Sequence, residues 1–263
     1  MQKIVQTFLA KFLRAEGNKP LAPLNSMHIG GNADLYYQVT NLDELPLLVE
    51  LAEQLRLPVF VLGGGSNTIF ADEGFRGLVI HIQAKKITLE PPYIAAEAGA
   101  LLSQVIQFAL KNGFSGMEKL MGLPGTIGGA VRGNAGAFGV EIKDVFAKAL
   151  IYNTQNGIHE TDKNDMDFQY RSSRIKKSRE IVTKVYLLPG RSAAEALAIK
   201  CPEGYPLEKK DCTRALAEAL DIVKNRISKQ PKGYCSGSFF KNPSNRPQRS
   251  GGPSHQVPGG LST

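Results

Sequence analysis

Between Gly122 and Gly139 the chain reads GLPGTIGGAVRGNAGAFG, with seven glycines among eighteen residues. Glycine loses more backbone entropy on folding than any other residue, so an ordinary helix or strand does not carry this density. The backbone there must turn sharply or approach something closely. Amide N–H groups bared in such turns form concave sites for anions. A second stretch of the same character, Val61 to Thr68 (VLGGGSNT), follows the apolar run Leu57 to Leu62. Two glycine-rich loops, each entered from apolar sequence, predict a phosphate-bearing cofactor held between two layers.

Neither loop is a mononucleotide or dinucleotide fingerprint. No Lys or Arg followed by Ser or Thr comes after Gly65, and no strict G-x-G-x-x-G follows a first strand. A nucleotide held here is held in another way.

The 263 residues suffice for one large domain or two to three small ones. No run approaches the ~20 apolar residues of a membrane span. The opening MQKIVQTFLAKFLRAEG alternates apolar and basic residues at helical spacing. It lacks the continuous apolar core of a signal peptide and predicts an N-terminal helix segment over 1–20, helical from Gln2 to Ala15. Cys201, Cys212 and Cys235 show no C-x-x-C spacing, which argues for a reducing compartment and against a metal site. Formal charge is +8, from 32 basic and 24 acidic residues, and is densest over 171–191 and 224–249. This balance permits nucleic acid, a membrane surface or an anionic small ligand; the lack of aromatic-basic interleaving argues against nucleic acid.

The first predicted unit is strand Leu35–Val39, helix Asp43–Leu55 capped by Asn41 or Asp43, strand Pro58–Leu62, the first glycine loop, and strand Gly77–Ile82. This β-α-β pattern puts the loop at the C-terminal end of a strand, where ligands of α/β sheets often sit. Ahead of it, in NSMHIGGNAD, Gly30 and Gly31 let backbone approach a ligand. The second unit is a hairpin, Lys86–Glu90 and Tyr93–Ala98 around Pro91-Pro92, then helix Ala100–Asn112 closed by Gly113. The main glycine segment and strands Val145–Asn153 and Glu180–Leu188 follow. Beyond a boundary near 190 come predicted helices Ser192–Ile199 and Cys212–Ile227, then YCSGSFFKNP. The Pro-, Gly- and Ser-dominated tail over 244–263 is predicted to be disordered.

Five blocks, NSMHIGGNAD, VLGGGSNTIFADEGFRGLVI, GMEKLMGLPGTIGGAVRGNAGAFG, YRSSRIKKSREIV and SGSFFKNP, stand in order from Leu24 to Pro243. In that order and spacing the chain resembles the UDP-N-acetylenolpyruvoylglucosamine reductase (MurB) family. The resemblance implies an α+β chain with a two-part FAD-binding domain of the vanillyl-alcohol-oxidase (PCMH) type over 21–190, in subdomains of about 21–84 and 85–190. A small, incomplete α+β substrate domain would occupy 191–243. The implied cofactor is FAD and the implied co-substrate NADPH. The implied reaction reduces the enolpyruvyl group of a UDP-sugar enolpyruvate to a lactyl ether, a step of peptidoglycan synthesis in the bacterial cytoplasm. A monomer with no nucleic-acid partner and no membrane insertion is expected.

The resemblance also assigns residues. Backbone N–H groups of Gly63, Gly64, Gly65, Ser66 and Asn67 would cradle the FAD pyrophosphate. Gly125, Thr126, Gly128 and Gly129 would lay backbone against flavin or phosphate, and Asn134 and Ala135 would continue that wall. Arg171 in YRSS matches the catalytic arginine, whose planar fork suits a carboxylate gathering charge. Ser238 matches the proton donor; against an enolate-like intermediate a positioned hydroxyl suffices, and Ser236 is its nearest rival by spacing. Lys241 and Asn242 match contacts to the UDP phosphates. The family continues after KNP with an apolar helix and a late glutamate that supports the arginine, whereas here no acidic residue follows Asp221. The expectation is FAD binding with impaired turnover. Two competing readings are an FAD-binding remnant without turnover and a basic anion- or nucleic-acid-binding protein.

Overall fold

The computed structural model describes residues 2–190, 217, 219–226 and 228. The three cysteines, Ser236, Ser238, Lys241, Asn242, helix Ser192–Ile199 and the 244–263 tail lie outside the described residues, as does all but a short helical stretch of the predicted substrate domain.

Two sheets carry the described chain. The first contains β1 (Glu16–Pro20), β2 (Asn32–Val39), β3 (Val59–Leu62) and β4 (Phe75–Ile82), in the order β1-β2-β4-β3. Strands β2 and β3 both run parallel to β4, and β1 is antiparallel to β2. Strand β4 buries Leu78, Val79 and Ile80 in succession, the pattern of a strand covered on both faces. Alternate residues feed two cores: Leu35, Leu78 and Ile80 join the main one, while Tyr36, Leu62 and Val79 face a smaller one with Leu21 and Phe70. The crossover helix α2 (Leu45–Gln54) buries Leu45, Leu48, Val49, Leu51 and Ala52. It starts two residues later than predicted, because the Asn41 side chain accepts the Asp43 N–H at 3.1 Å and caps a 3-10 turn first.

The N-terminal segment differs from the predicted helix over 1–20. Helix α1 (Gln2–Lys11) stops at Lys11, and 16–20 form β1. EGNKP carries no strand propensity; the open edge of β2 supplies its partners, so pairing rather than propensity makes the strand. Phe8 of α1 is fully buried in the main core. The segment is therefore part of the first layer and not an appendage.

The second sheet is antiparallel, in the order β10-β9-β11-β6-β5. Its strands are β5 (Ile87–Glu90), β6 (Tyr93–Glu97), β9 (Phe146–Asn153), β10 (Gly157–Asp162) and β11 (Ile181–Leu187). The hairpin around Pro91-Pro92 forms as predicted. Strand β10 (GIHETD) was not predicted; it is a polar edge strand paired only to β9. Helix α3 (Leu102–Lys111) buries Leu102, Val105, Ile106, Ala109 and Leu110, and Gly113 follows it at φ +80°. Ile80 from the first sheet and Ile94, Ile151 and Val185 from the second share one core, so the two subdomains are built against each other. Among the described residues no helix is long and apolar enough to cross a membrane.

The main glycine segment contains a helix after all. Helix α4 (Ile127–Gly133) starts at Thr126, whose Oγ1 accepts the Gly129 N–H at 3.4 Å, and ends at Asn134 in the left-handed region (φ 41°). Ile127, Ala130 and Val131 bury one face. A Cβ on Gly128 would stand 2.7 Å from Ala98 Cβ, so glycine lets α4 lie directly on the end of β6. That contact outweighs the roughly 1 kcal/mol each helical glycine costs. After α4 come the short hairpin strands β7 (Gly136–Ala137) and β8 (Val140–Glu141) and the one-turn helix α5 (Ile142–Val145).

Candidate functional site

The first glycine loop leaves the C-terminal end of β3, as its position after an apolar run predicts. Gly65 adopts φ +64° and is buried; a Cβ there would stand 2.0 Å from the Leu24 carbonyl oxygen. The Gly65 carbonyl accepts the Ser26 N–H at 3.1 Å, which seats the loop on the chain before β2. The N–H groups of Gly64, Gly65, Ser66 and Asn67 donate to no other described residue. Gly65 is buried, Ser66 half-buried and Gly64 and Asn67 exposed, so four consecutive N–H groups stand open in a turn at the surface, an arrangement that suits phosphate oxygens.

The two glycine segments meet each other. A Cβ on Gly63 would stand 2.6 Å from Thr126 Oγ1, and one on Gly64 3.0 Å from Gly125 Cα. The Ser66 hydroxyl donates to the Pro124 carbonyl at 3.2 Å. Gly64 thus lies against the Gly125 backbone, while Gly63 makes room for the Thr126 side chain and Gly125 for the Ser66 side chain. Gly30 and Gly31 meet protein too: their Cβ positions would lie 2.5 Å from Phe70 Cβ and 2.1 Å from the Asp72 carbonyl oxygen. The close approach predicted there for a ligand is occupied by the 70–74 turn.

In the second segment the fold itself uses several of the amides. The Ile127 and Gly128 N–H groups donate to the Ala100 and Ala98 carbonyls at 2.8 and 3.0 Å, and Gly129 donates to Thr126. The Asn134 and Ala135 N–H groups close α4 on the Val131 and Ala130 carbonyls. These amides are consumed by the fold. Gly128→Val would therefore disturb the seating of α4 on β6 and not the cradle alone.

Beside Leu62, in register on β4, lies His81, to which sequence reasoning assigned no role. Its Nδ1 pairs with the Tyr36 hydroxyl at 2.7 Å and its Nε2 with the Gln83 side chain. Burial pushes the imidazole down to about 4, and burial pushes the Tyr36 phenol up to about 12. His81 is thus neutral in the fold at pH 7. Its folded pKa lies below the unfolded value of 6.5, so the unfolded chain takes up a proton first as pH falls. Stability should be undiminished by His81 above pH 6.5 and should decline from there down to about pH 4. Allowing for partial exposure, the loss is on the order of 2 kcal/mol. Urea midpoints at pH 7.5 and 5 would measure it, and His81→Gln should flatten the slope; an unchanged slope would clear His81 of the effect.

Arg171 sits in the tight turn Gln169–Ser172, where each end residue donates its N–H to the other's carbonyl at 3.0–3.1 Å. Its φ is +56°, a left-handed conformation that costs a non-glycine residue on the order of 1 kcal/mol. The turn aims the guanidinium at the end of the second glycine segment. Nη2 donates to the Gly136 carbonyl at 2.7 Å and Nη1 to the Asn134 carbonyl at 3.5 Å. Nη1 also lies 3.7 Å from Glu141 Oε1, and the guanidinium covers the Tyr170 ring at 5.0 Å. Of the predicted site residues, the structure brings Arg171 and Asn134 together at one end of this segment, and Gly63–Ser66 and Gly125–Thr126 at the other.

Sequence reasoning missed a second arginine at this segment. Residues 219–226 are helical, and Arg226 Cδ would stand 3.1 Å from a Cβ on Gly122. Its guanidinium covers the exposed Phe138 ring at 5.3 Å, and burial holds its pKa below the ordinary value. Only the helical spacing of the surrounding stretch hinted at this placement.

The family model described as "FAD binding domain" matches residues 33–161. The curated UDP-N-acetylenolpyruvoylglucosamine reductase of Carboxydothermus hydrogenoformans is 35% identical over 235 residues, covering 88% of this chain and 71% of that relative. The enzyme of the same name from Caldanaerobacter subterraneus is 34% identical over 228 residues, covering 86% and 70%. The crystal structure of UDP-N-acetylenolpyruvylglucosamine reductase (MurB) from Thermus caldophilus superposes with a TM-score of 0.67 at 28% identity, covering 89% of this chain and 76% of that one. Aclacinomycin oxidoreductase, at 17% identity and a TM-score of 0.54 over 69% and 42% of the two chains, shares the fold alone. The two sheets described above are the two-part FAD-binding fold of the vanillyl-alcohol-oxidase (PCMH) type.

Proposed function

The chain belongs to the UDP-N-acetylenolpyruvoylglucosamine reductase family, and from that premise we propose that it uses NADPH and FAD to reduce the enolpyruvyl group of UDP-N-acetylglucosamine enolpyruvate, giving UDP-N-acetylmuramate for peptidoglycan synthesis. One observation carries this reading. The second glycine segment meets an open run of amide donors at its start, and Arg171 at its end.

The open amides of Gly64, Gly65, Ser66 and Asn67 suit the diphosphate of FAD, which when bound supplies hydride transfer between NADPH and the substrate. The glycines let the two segments close on each other with only the small Ser66 and Thr126 side chains between them. Arg171 would offer its fork to the substrate carboxylate, which shares the negative charge left on the carbon beside it when hydride adds to the far alkene carbon. A guanidinium fixed in advance needs no reorganisation at that moment. The Ser238 hydroxyl is assigned delivery of the proton to the adjacent carbon, and Lys241 and Asn242 the UDP phosphates; all three lie outside the described residues.

The test is anaerobic and in two stages. The purified protein should carry flavin, be bleached by NADPH, and be reoxidised by the enolpyruvyl UDP-sugar. A protein that takes up no flavin when supplied with FAD overturns the reading. Flavin that NADPH reduces but the sugar never reoxidises would make the chain an FAD-binding remnant.

A further inference from the structure

Arg171 is held by a network that no part of the proposed function requires as such. Asn134, fully buried at the end of α4, is its centre. The Asn134 Nδ2 group donates to Glu141 Oε2 at 2.9 Å and to the Gln169 carbonyl at 2.9 Å. Its Oδ1 accepts the Lys143 N–H at 3.1 Å. One side chain thus ties α4, the start of α5 and the turn that bears Arg171.

Glu141 is the second member. Its side chain is 17% exposed, and its backbone N–H donates to Asp144 Oδ2 at 2.8 Å, which anchors the residue at the start of α5. Oε2 takes the Asn134 amide and lies 3.0 Å from Lys143 Nζ, leaving Oε1 toward Arg171 Nη1. Gly136 completes the clamp: a Cβ there would stand 2.9 Å from Arg171 Nη1 and 2.7 Å from Glu141 Cγ. Glycine is what lets guanidinium, carboxylate and backbone close on one another. A lone ion pair between Glu141 and Lys143 would need neither the missing Cβ nor the buried asparagine.

We propose that Glu141, with Asn134 and Gly136, is a positioning residue that sets the plane of the Arg171 guanidinium before substrate arrives. The clamp spends only one edge of the fork. Two contacts go to the Asn134 and Gly136 carbonyls and one to the carboxylate, so N–H groups remain for a substrate carboxylate. Arg171 also sits in a strained left-handed turn, and strain persists where surrounding structure over-determines it. The inference rests on the reductase reading for its chemistry and on the network alone for its geometry.

The experiment uses the full-length holoprotein and two variants. Glu141→Gln keeps the size and removes the charge; Gly136→Ala keeps the Glu141 carboxylate but crowds its Cγ, the Arg171 guanidinium and the Val140 carbonyl. Both should slow reoxidation of the reduced flavin by the enolpyruvyl UDP-sugar by about 10- to 100-fold at saturating sugar, the scale expected for a misplaced reacting group. Flavin reduction by NADPH should change far less. In both variants the Arg171 Nε–Hε resonance, identified by its loss in Arg171→Lys, should move and exchange faster with water. Reoxidation within twofold of wild type, or an unmoved Arg171 resonance in Glu141→Gln, overturns the proposal. If wild-type protein is never reoxidised by the sugar, the reductase reading fails instead, and the resonance alone then decides whether the clamp exists.

Discussion

Arg171→Lys is expected to slow reoxidation of the reduced flavoprotein by the enolpyruvyl UDP-sugar by about 10²–10³-fold, the range for removing a preorganised charge-stabilising group. Lysine keeps the positive charge, so a purely long-range role would survive the change. It loses the planar fork, and with it the simultaneous contacts to the Gly136 and Asn134 carbonyls. An ammonium on a flexible stem would also lose its place over Tyr170. The fold should tolerate the substitution, since the side chain is 38% exposed and the left-handed backbone is no worse for lysine than for arginine. Stopped-flow mixing of photoreduced protein with the sugar isolates this step from NADPH oxidation. A rate within threefold of wild type would remove Arg171 from the chemistry.

Gly65→Ala is expected to abolish flavin retention through purification. The glycine is at φ +64°, and its missing Cβ would overlap the Leu24 carbonyl oxygen at 2.0 Å and Asn25 Cα at 2.8 Å. Both obstacles are backbone, so no rotamer change relieves them. Either the 24–26 strap moves and the Ser26 N–H to Gly65 carbonyl bond breaks, or the loop leaves β3 at a new angle. In both cases the four open amides leave their present positions. Strain of this kind costs roughly 2–4 kcal/mol. The control is Gly133→Ala, at the last position of α4, where a Cβ would meet nothing within 4 Å. That change should be neutral or stabilise by about 0.5–1 kcal/mol, because alanine has less backbone entropy to lose in a helix. The ratio of flavin to protein absorbance and the urea midpoint read out both variants. Full flavin occupancy in Gly65→Ala would dismiss the first loop as the cradle.

Much of the frame was legible in the residues because its signals are local. Strands β2, β3 and β4 announce themselves as apolar runs, α3 by its spacing and the glycine that closes it, and the β5–β6 hairpin by its paired prolines. The order of five blocks carried the family. Each depends on a few neighbouring residues, and for these elements the structure departs from the predicted boundaries by at most three residues, the most at the start of β2.

Elsewhere the deciding partner is distant in the chain. EGNKP and GIHETD become strands because β2 and β9 offer unpaired edges, which a polar segment cannot reveal. IGGAVRG becomes a helix because Ala98 leaves room only for glycine beneath it. Glycine density shows that a backbone is unrestrained, and which conformation it takes is left to whatever packs against it. The density correctly announced a close approach, but the first loop packs on the Leu24–Asn25 backbone and on the second segment, 58 residues away between Ser66 and Pro124. Arg171 could be picked out by its motif, whereas Asn134, Gly136 and Glu141 meet it only because a strained turn and the end of α4 are brought together. A left-handed arginine is not written in local sequence; it exists where carbonyls, a carboxylate and a missing Cβ converge on it from another part of the fold.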